Sequence, residues 1–423
     1  MEVVIIGNGI AGNSAAVKIR ELDAEAKITI VSSENQPHYS ACALPYYIAG
    51  EIDRKTLFLK ENSVYKKDNI KIILGQSVTG ISPEDRKVYL DKESLPYDSL
   101  ILATGSQPIM PPIEGIGLDG VFPLKSIANA DQILSYPVTA AAVVGSGPVG
   151  IETAIALHSR GVKVYIIELL DTILSKVFDE APSLRLRQII EENGIEVFTG
   201  EQVKQIAGNE KVEGVVTDKR RLDVDMVIMA TGMRPNTNLA VAAGIKIGKL
   251  RGIEVAPNME TSISGIYACG DCAETYDLVT GERALILLWH NAIKQAEVAA
   301  QNCCGNPGIY PGSMNITSVD IFGTHAVSMG VCGTQLEQLK KVKTIEGENS
   351  NSYNRLIYSR QRMVGAQVIG GTNGVGAFLY AIIREDEIEN PQEFASLTAS
   401  TDLRDRLLVR HTGNDTITQS CPA

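Results

Sequence analysis

One pattern occurs twice in this chain and limits its fold more than any other feature. Residues 2–12, EVVIIGNGIAG, are a short apolar segment that runs into three glycines, and residues 141–150, AAVVGSGPVG, repeat the plan. Each copy is followed by a stretch with helical character, NSAAVKIREL or IETAIALHSRG, and then by a second apolar segment, KITIVSSE or KVYIIE. Both copies therefore predict a βαβ unit.

The spacing of the glycines indicates dinucleotide binding. In such a unit the first glycine permits a tight turn, the second lets the backbone approach a pyrophosphate, and the third allows close packing of helix on strand. The helix N-terminus offers free N–H groups to the phosphates, and an acid at the end of the second strand binds ribose hydroxyls. Glu168 holds that position, and Glu34 holds it in the first copy, where Ser32 and Ser33 are equally near the end of the strand. One such pattern also occurs in turns that bind nothing, but two copies with a downstream acid favour two nucleotide sites.

Three further segments complete the pattern. YDSLILATGSQP (97–108) and VDMVIMATGMRP (224–235) each end an apolar strand in Ala-Thr-Gly, roughly 90 residues after the preceding glycine turn. The segment TSISGIYACGDCAE (261–274) follows. In this order the motifs resemble the pyridine nucleotide–disulfide oxidoreductase family of FAD enzymes, in which the Ala-Thr-Gly segments mark chain crossings between two nucleotide domains.

The resemblance covers about residues 1–330 and implies an α/β fold with two Rossmann-like domains. FAD is expected in a domain formed by residues 1–112 and 239–312, and NADH in an inserted domain, 113–238. A smaller α+β domain with a polar tail is expected over 313–423, where NRLIYSRQRMVGAQVIGG alternates as antiparallel strands do. The expected cofactor-binding residues are Gly7, Asn8, Gly9, Ile10, Ala11, Gly12, Glu34, Val78, Ala103, Thr104, Gly105, Gly145, Gly147, Pro148, Val149, Gly150, Glu168, Gly232, Gly270 and Asp271.

Two of these residues bear on how the cofactors bind. Asp271 is expected to accept a hydrogen bond from the ribityl chain of FAD, beside Gly270. Glu168 favours NADH, because a carboxylate there repels the 2′-phosphate of NADPH and no arginine follows it directly. Pro148 departs from relatives that carry a tyrosine over the flavin at this point, so a different gating residue, or none, is implied.

The segment HYSACALPYYIAGEI (38–52) suggests the chemistry. Cys42, followed by Pro45 and Tyr46, resembles the single-cysteine branch of the family, coenzyme A-disulfide reductases and NADH oxidases or peroxidases. Its cysteine lies against the flavin and cycles between thiolate and an oxidised form. Position 47 is a tyrosine, so the CxxxxC of the two-cysteine branch is missing. We expect a thiolate stabilised by the positive end of a helix, whereas the alternative is a buried cysteine that acts as a small apolar side chain.

Other features match that branch only in part. The C-terminal Tyr-x-Pro-Pro-Tyr-Ser segment of coenzyme A-disulfide reductases has no counterpart, since the corresponding stretch reads EFASLTASTDLRDRLLV. Rubredoxin-reductase-like relatives often carry a lysine where this chain has Ala41. The overall plan also resembles the FAD subunits of multi-subunit oxidoreductases that connect NADH to iron–sulfur partners.

Composition excludes several other functions. The formal net charge is −11 without a Lys/Arg block, which argues against nucleic-acid binding, and no apolar run is long enough to span a bilayer. Seven scattered cysteines and the absence of an export signal predict a reducing, cytoplasmic location. Cys269 and Cys272 form a CxxC without a second pair, so no metal site is expected.

The leading hypothesis is an FAD-dependent NADH oxidoreductase that passes electrons to a redox partner, such as an iron–sulfur protein. One alternative is a self-contained enzyme that reduces coenzyme A disulfide, oxygen or peroxide through Cys42. Another is a non-catalytic, flavin-bearing scaffold subunit. The protein is expected to be a homodimer or one subunit of a hetero-complex.

Overall fold

The computed structural model describes residues 1–348, 352–372, 374–385 and 387–388, which form two compact units, one ending at Asn315 and the other beginning at Ile316. The C-terminal stretch 393–409, the polar tail and Cys421 lie outside the described residues.

Twenty-one strands occur among the described residues of the first unit: β1 Glu2–Ile6, β2 Lys27–Val31, β3 Ile70–Ile73, β4 Val78–Ser82, β5 Lys87–Leu90, β6 Ser94–Pro96, β7 Ser99–Leu102, β8 Ser106–Pro108, β9 Val121–Pro123, β10 Ala140–Val144, β11 Lys163–Ile167, β12 Glu196–Phe198, β13 Val203–Gly208, β14 Val212–Thr217, β15 Arg221–Leu222, β16 Met226–Met229, β17 Met233–Pro235, β18 Ile253–Glu254, β19 Ile266–Ala268, β20 Ala273–Tyr276 and β21 Arg283–Ala284. Its helices are α1 Ile10–Leu22, α2 Leu44–Ala49, α3 Asn62–Lys67, α4 Ile127–Ser135, α5 Pro148–Ser159, α6 Glu180–Glu192, α7 Asn238–Ala242 and α8 Trp289–Cys303.

Two five-stranded parallel sheets carry this unit, and they repeat one plan. The first has the order β19-β7-β1-β2-β3 and the second β12-β11-β10-β16-β9. The central strands β1 and β10 are buried over nearly their whole length, as parallel strands covered on both faces are. Small antiparallel sheets, β4-β5-β6 and β13-β14-β15, occupy equivalent places in the two copies. The α/β architecture expected from the two glycine patterns is confirmed.

The helices after the glycine turns are longer than the sequence suggested. α1 begins at Ile10 and α5 at Pro148, each directly after the middle glycine of its turn, which serves as the N-cap. The glycine-rich segment itself therefore supplies the first helical turn. α8 packs against α1, and its residues Ala292, Ala296 and Ala299 are buried in the core, as expected from their spacing.

The second unit contains one antiparallel sheet and a helix among its described residues. The strands are β22 Ile316–Ile321, β23 Thr324–Gly330, β24 Val342–Glu348, β25 Ser352–Ser359 and β26 Arg362–Gly370, in the order β22-β23-β26-β25-β24, followed by α9 Val375–Arg384. The alternating stretch forms β25 and β26, which pair antiparallel. The predicted α+β character of this part is confirmed.

Candidate functional site

The parallel sheets explain why distant motifs meet. Gly7 follows β1, Glu34 lies just beyond β2, Ala103 follows β7, and Gly270 and Asp271 lie just beyond β19. These four strands belong to one sheet and run in one direction, so all these residues stand at its carboxyl edge. Ligands of open α/β sheets bind outside this edge.

In the first glycine turn, two glycines are required by close contacts within the protein and the middle one is not. A Cβ on Gly7 would lie 2.0 Å from the carbonyl oxygen of Ala103, and a Cβ on Gly12 would lie 2.0 Å from that of Gly7. A Cβ on Gly9 would meet no atom within 4 Å, and its φ of −76° suits any residue. The fold alone therefore accounts for Gly7 and Gly12, whereas Gly9 leaves open space that the phosphates of a nucleotide could approach.

The second turn repeats this distinction. A Cβ on Gly145 would lie 2.3 Å from the carbonyl oxygen of Ala230, and one on Gly150 would lie 2.1 Å from that of Gly145. Gly147 again has nothing within 4 Å. The recurrence of an open middle position is not explained by a tight turn alone and fits a dinucleotide at both places.

The residues between the first glycines are held in a network of side-chain hydrogen bonds. The Asn8 amide donates to the carbonyl oxygen of Gln36 at 3.1 Å, and its side-chain oxygen accepts from the Tyr65 hydroxyl at 3.0 Å. The same hydroxyl also lies 2.9 Å from the side-chain oxygen of Asn13 on α1, so the two oxygens share its hydrogen. Ile10 and Ala11 form the first turn of α1, which has no side-chain cap. Its N–H groups remain available to an anion.

The second turn and its acid are in direct contact. Glu168 follows β11 and accepts hydrogen bonds from the backbone N–H of Ser146 at 2.9 Å and from its hydroxyl at 2.6 Å. Its other oxygen accepts from the N–H of Leu170 at 2.9 Å. The carboxylate is thus fixed beside Gly145 and Gly147, the position a ribose would need. Pro148 and the exposed Val149 form the first turn of α5.

Glu34 has a different environment. Its carboxylate accepts a hydrogen bond from the Tyr39 hydroxyl at 2.8 Å, and it lines a cavity of about 270 Å³ together with Arg54 and Asp131. The backbone of Gly75 and Gln76 bonds to that of Glu34 and Ser32, which brings the start of β4, with the half-buried Val78, toward this side. A role of Val78 in FAD binding stays a prediction.

Each Ala-Thr-Gly segment forms a hydrogen bond with the residues that follow the other one. The Thr104 hydroxyl donates to the carbonyl oxygen of Asn236 at 2.7 Å, and the Thr231 hydroxyl donates to that of Ile109 at 2.7 Å. The strands that follow them, β8 and β17, pair antiparallel. Gly105 and Gly232 both have positive φ, 67° and 112°, at the bends that start these strands. The two Ala-Thr-Gly segments, with β8 and β17 that follow them, are thus held together by hydrogen bonds in both directions.

Asp271 is positioned by residues that the sequence motifs did not reveal. Its carboxylate accepts from the Ser106 hydroxyl at 2.7 Å and lies 3.4 Å from the Lys125 ammonium. Gly270 has a φ of 78°, and its N–H donates to the Gln295 side chain of α8 at 2.8 Å. Lys125 follows β9 of the second sheet, so only the folded chain brings it here. No local sequence pattern marks it.

Cys42 lies in a short 3-10 turn, Ala41–Ala43, immediately before α2, and its side chain is accessible to solvent. Loss of hydration in the site raises the pKa of the Cys42 thiol, and the negative charges of Glu152 and Asp271 raise it further against the opposing effect of Lys125. These groups of the chain act against the expected thiolate, and a redox role of Cys42 stays a prediction. The structure does bring Cys42 near Asp271.

One buried atom supports the presence of a ligand in the first site. The Nε2 atom of His38 is buried without a hydrogen-bond partner among the described residues, and the ring stacks on Trp289 at 6.3 Å. Burial, together with the charge of Lys60, lowers the pKa of His38 to about 4, so the ring is neutral. Buried polar atoms are usually satisfied, and an orphaned ring nitrogen in this region fits a bound group with polar atoms, as FAD has.

The remaining candidates take structural roles. His290 bonds through Nε2 to the carbonyl oxygen of Met314 at 2.9 Å. Cys269 and Cys272 are fully buried, which raises the pKa of both thiols. Across the described residues no group of three His, Cys, Asp or Glu side chains could hold a metal ion, and no helix there is long and apolar enough to cross a membrane.

Two glycine turns in βαβ units, each with an acid just beyond its second strand, are typical of an oxidoreductase that uses a flavin and a nicotinamide. The sequence profile of the pyridine nucleotide-disulphide oxidoreductase family matches residues 1–296, and the chain belongs to this family. Its cofactors are FAD and NADH, and the protein is an FAD-dependent NADH oxidoreductase.

Individual relatives differ in their described activities. The chain is 35% identical over 394 residues to an NADH oxidase of Methanocaldococcus jannaschii, covering 88% of each chain. It is 32% identical to a nitrite reductase [NAD(P)H] of Bacillus subtilis, where the match covers 91% of this chain but 47% of the relative. The solved structure of an NAD-dependent persulfide reductase from A. fulgidus superposes with a TM-score of 0.88 at 29% identity, covering 96% of this chain and 84% of that one.

Proposed function

We propose that the protein oxidises NADH and delivers the electrons to a redox protein partner, with FAD supplying the conversion between two-electron and one-electron transfer. The observation that carries this proposal is the environment of Cys42, where partial loss of hydration and the charges of two carboxylates raise the pKa of the thiol. A thiol is a poor nucleophile, so a route that does not pass through Cys42 is favoured.

The other residues of the site have assigned tasks in this proposal. Glu168, held by Ser146 and Leu170, orients the ribose of NADH, and the open space at Gly147 receives its pyrophosphate. Asp271 holds the ribityl chain while Ser106 and Lys125 fix its carboxylate. The positive charge of Lys125 also lies close enough to Cys42 to act on its pKa, so in this proposal Lys125 would stand on the Cys42 side of the flavin site.

The relatives support transfer to a protein acceptor. The match to the nitrite reductase covers about half of that chain, so a module of this kind exists there together with a further region. For the present chain we propose that the corresponding acceptor is a separate protein, such as an iron–sulfur protein, in a hetero-complex.

A second candidate function is supported by the accessibility of Cys42. The side chain is exposed and lies near Asp271, where a disulfide or peroxide could reach it. In this alternative Cys42 relays electrons to a small disulfide, to peroxide or to oxygen. The similarity to an NADH oxidase and to a persulfide reductase also supports it.

Substitution of Cys42 by serine separates the two functions. The change removes the sulfur at nearly constant volume, so folding and FAD content should be retained. If electrons leave the flavin directly, reduction of a soluble dye by NADH should change by about threefold or less, because the variant loses no group on that route.

The matched control is Cys304→Ser, which makes the same chemical change at a half-buried cysteine at the end of α8. A substantial disulfide or peroxide reductase rate in the unmodified protein that falls by orders of magnitude in Cys42→Ser, but not in Cys304→Ser, would reject the leading proposal and establish the alternative.

A further inference from the structure

A polar cavity of about 220 Å³ has no residue of the two glycine turns in its wall. It is lined by Gln107, Arg234, Pro235, Thr237, Asn238 and Arg251. Two guanidinium groups, two side-chain amides and a hydroxyl therefore meet in one place. No carboxylate is among the lining residues.

The polar side chains of this wall have no partner in the part of the chain that the structure describes. Among the residues that the structure describes, none of the five polar side chains forms an ion pair or a side-chain hydrogen bond. Arg234 and Arg251 are exposed to solvent, and no carboxylate of the cavity wall pairs with them, so both are available to an anion. This arrangement occurs in a chain with a formal net charge of −11, whose overall field does not attract anions.

The pairing of β8 with β17 determines where two of the lining side chains lie. Gln107 of β8 is the direct antiparallel partner of Arg234 of β17, so their side chains lie on one face of this two-stranded ribbon. Ser106, the preceding residue, points to the opposite face and bonds to Asp271. The Gln107 and Arg234 side chains thus lie on the face of the ribbon opposite to the Ser106 hydroxyl.

Arg251 enters the cavity from a third segment, and this segment is fixed. The turn Gly248–Gly252 closes through the hydrogen bond from the N–H of Gly248 to the carbonyl oxygen of Gly252. The buried carboxylate of Glu274 accepts from the N–H of Leu250 at 2.9 Å and from that of Gly252 at 3.3 Å. Arg251, with a φ of 71°, is displayed by a turn that the core holds in place.

From these observations we infer that the cavity is a binding site for a phosphate group, either free phosphate or a phosphate monoester. Paired arginine forks match the oxygens of a phosphate, and the amides and the hydroxyl supply donors for the remaining ones. A bound phosphate would connect β8 and β17 to the turn that carries Arg251. The lining residues are not among those expected to hold the two dinucleotides, and the inference does not depend on the electron acceptor.

Calorimetric titration of the FAD-loaded protein with inorganic phosphate tests the inference. Saturating NAD⁺ is present throughout, so that the second glycine turn is occupied. The unmodified protein should bind phosphate at one site. Arg234→Gln and Arg251→Gln should each weaken this binding by about tenfold or more, the size expected for the loss of a charge-assisted hydrogen bond.

Arg86→Gln is the matched control, because Arg86 is an exposed turn residue with a positive φ of 51° and loses the same charge. It should leave phosphate binding unchanged. Flavin absorbance and thermal unfolding of all three variants should equal those of the unmodified protein, since the changed side chains bond to no described residue of the core.

A parallel titration with glycerol 3-phosphate distinguishes the two sources of the phosphate group. Tighter binding of the monoester identifies an organic phosphate as the ligand, and tighter binding of inorganic phosphate identifies the free ion. The inference is overturned if the unmodified protein binds neither, or if the Arg234→Gln/Arg251→Gln double variant binds them equally well. Binding of a glutamate-rich peptide but of no phosphate would also overturn it, since the cavity would then be a protein-docking surface.

Discussion

Single side chains in the flavin region show how burial sets protonation. His38 and Cys42 lie four residues apart, and loss of hydration acts on both. It lowers the pKa of the imidazole and raises the pKa of the thiol, because loss of water disfavours the charged form of either group. Both groups are thus uncharged at neutral pH.

The neutral state of His38 predicts a pH-dependent stability. The unfolded chain takes up a proton on the imidazole as the pH falls below 6.5, whereas the folded chain does so only near pH 4. Between these values the unfolded state binds more protons, so stability is lost as the pH falls. The loss should reach about 3 kcal/mol by pH 4, from about 1.4 kcal/mol per pKa unit.

Urea unfolding of the flavin-free protein between pH 7 and pH 4 measures this effect. His38→Gln should remove most of the pH-dependent loss, while His158→Gln, at a half-exposed histidine on α5, should retain it. Equal pH profiles for the His38 variant and the unmodified protein would show that the imidazole does not stay neutral.

Glu168 predicts the choice of nicotinamide cofactor. Its carboxylate is fixed beside the second glycine turn and would lie close to the 2′-phosphate of NADPH. Glu168→Gln keeps an oxygen for the Ser146 hydrogen bonds but removes the charge. The ratio of kcat/KM for NADH to that for NADPH should fall by about tenfold or more, since close like charges cost several kcal/mol in a partly buried site. Similar efficiencies with both cofactors before mutation would place Glu168 away from the ribose.

At the scale of secondary-structure elements, the strand–turn–helix unit assigns different tasks to glycines that look alike in the sequence. Two glycines of each turn are required by backbone atoms of the protein, and the middle one is not. Stability and cofactor binding can therefore be separated within a single motif.

Gly9→Ala and Gly12→Ala form a matched pair that tests this separation. The alanine at position 12 would place its Cβ against the carbonyl oxygen of Gly7, so the variant should be strongly destabilised or fail to fold. The alanine at position 9 meets no protein atom, so the flavin-free protein should keep its thermal stability but lose FAD affinity by at least about tenfold. Unimpaired FAD binding by a stable Gly9→Ala protein would contradict a pyrophosphate at that position.

How far the sequence predicted these elements depends on the range of the interactions involved. The two βαβ units follow from local patterns of apolar residues and glycines, and both were predicted. The start of α1 at Ile10 was not, because the N-cap is a glycine without a capping side chain. Lys125, Ser106 and the unpartnered Nε2 atom of His38 were also missed, since burial and contacts across 146 or 165 residues leave no local pattern.

For the whole molecule, the repeated plan accounts for two nucleotides on one chain. Strand order, the accessory antiparallel sheets and the crossing bonds correspond between the two copies. We expected the inserted nicotinamide-binding domain to cover residues 113–238, and these limits stay a prediction. The first sheet also needs β19, which comes after that segment.

The identity of the flavin is predicted at this scale. The first site offers Glu34 for a ribose and the N-terminus of α1 for phosphates, at a distance along the sheet edge from Asp271. Only a flavin with an adenosine half would use all of them. Heat denaturation followed by chromatography should release FAD and no FMN. Release of FMN, or failure of the colourless protein to take up FAD, would contradict the assignment.

The paired crossings have a consequence for engineering the chain. Because β8 and β17 are neighbours in one ladder, the polypeptide leaves for the inserted segment and returns from it on strands about 5 Å apart. The two ends of the segment between them are therefore neighbours in space, and the segment is connected to the rest of the unit through these adjacent strands. A foreign nucleotide-binding module whose own ends lie equally close could replace it without stretching the host, and the hydroxyls of Thr104 and Thr231 would mark where to splice.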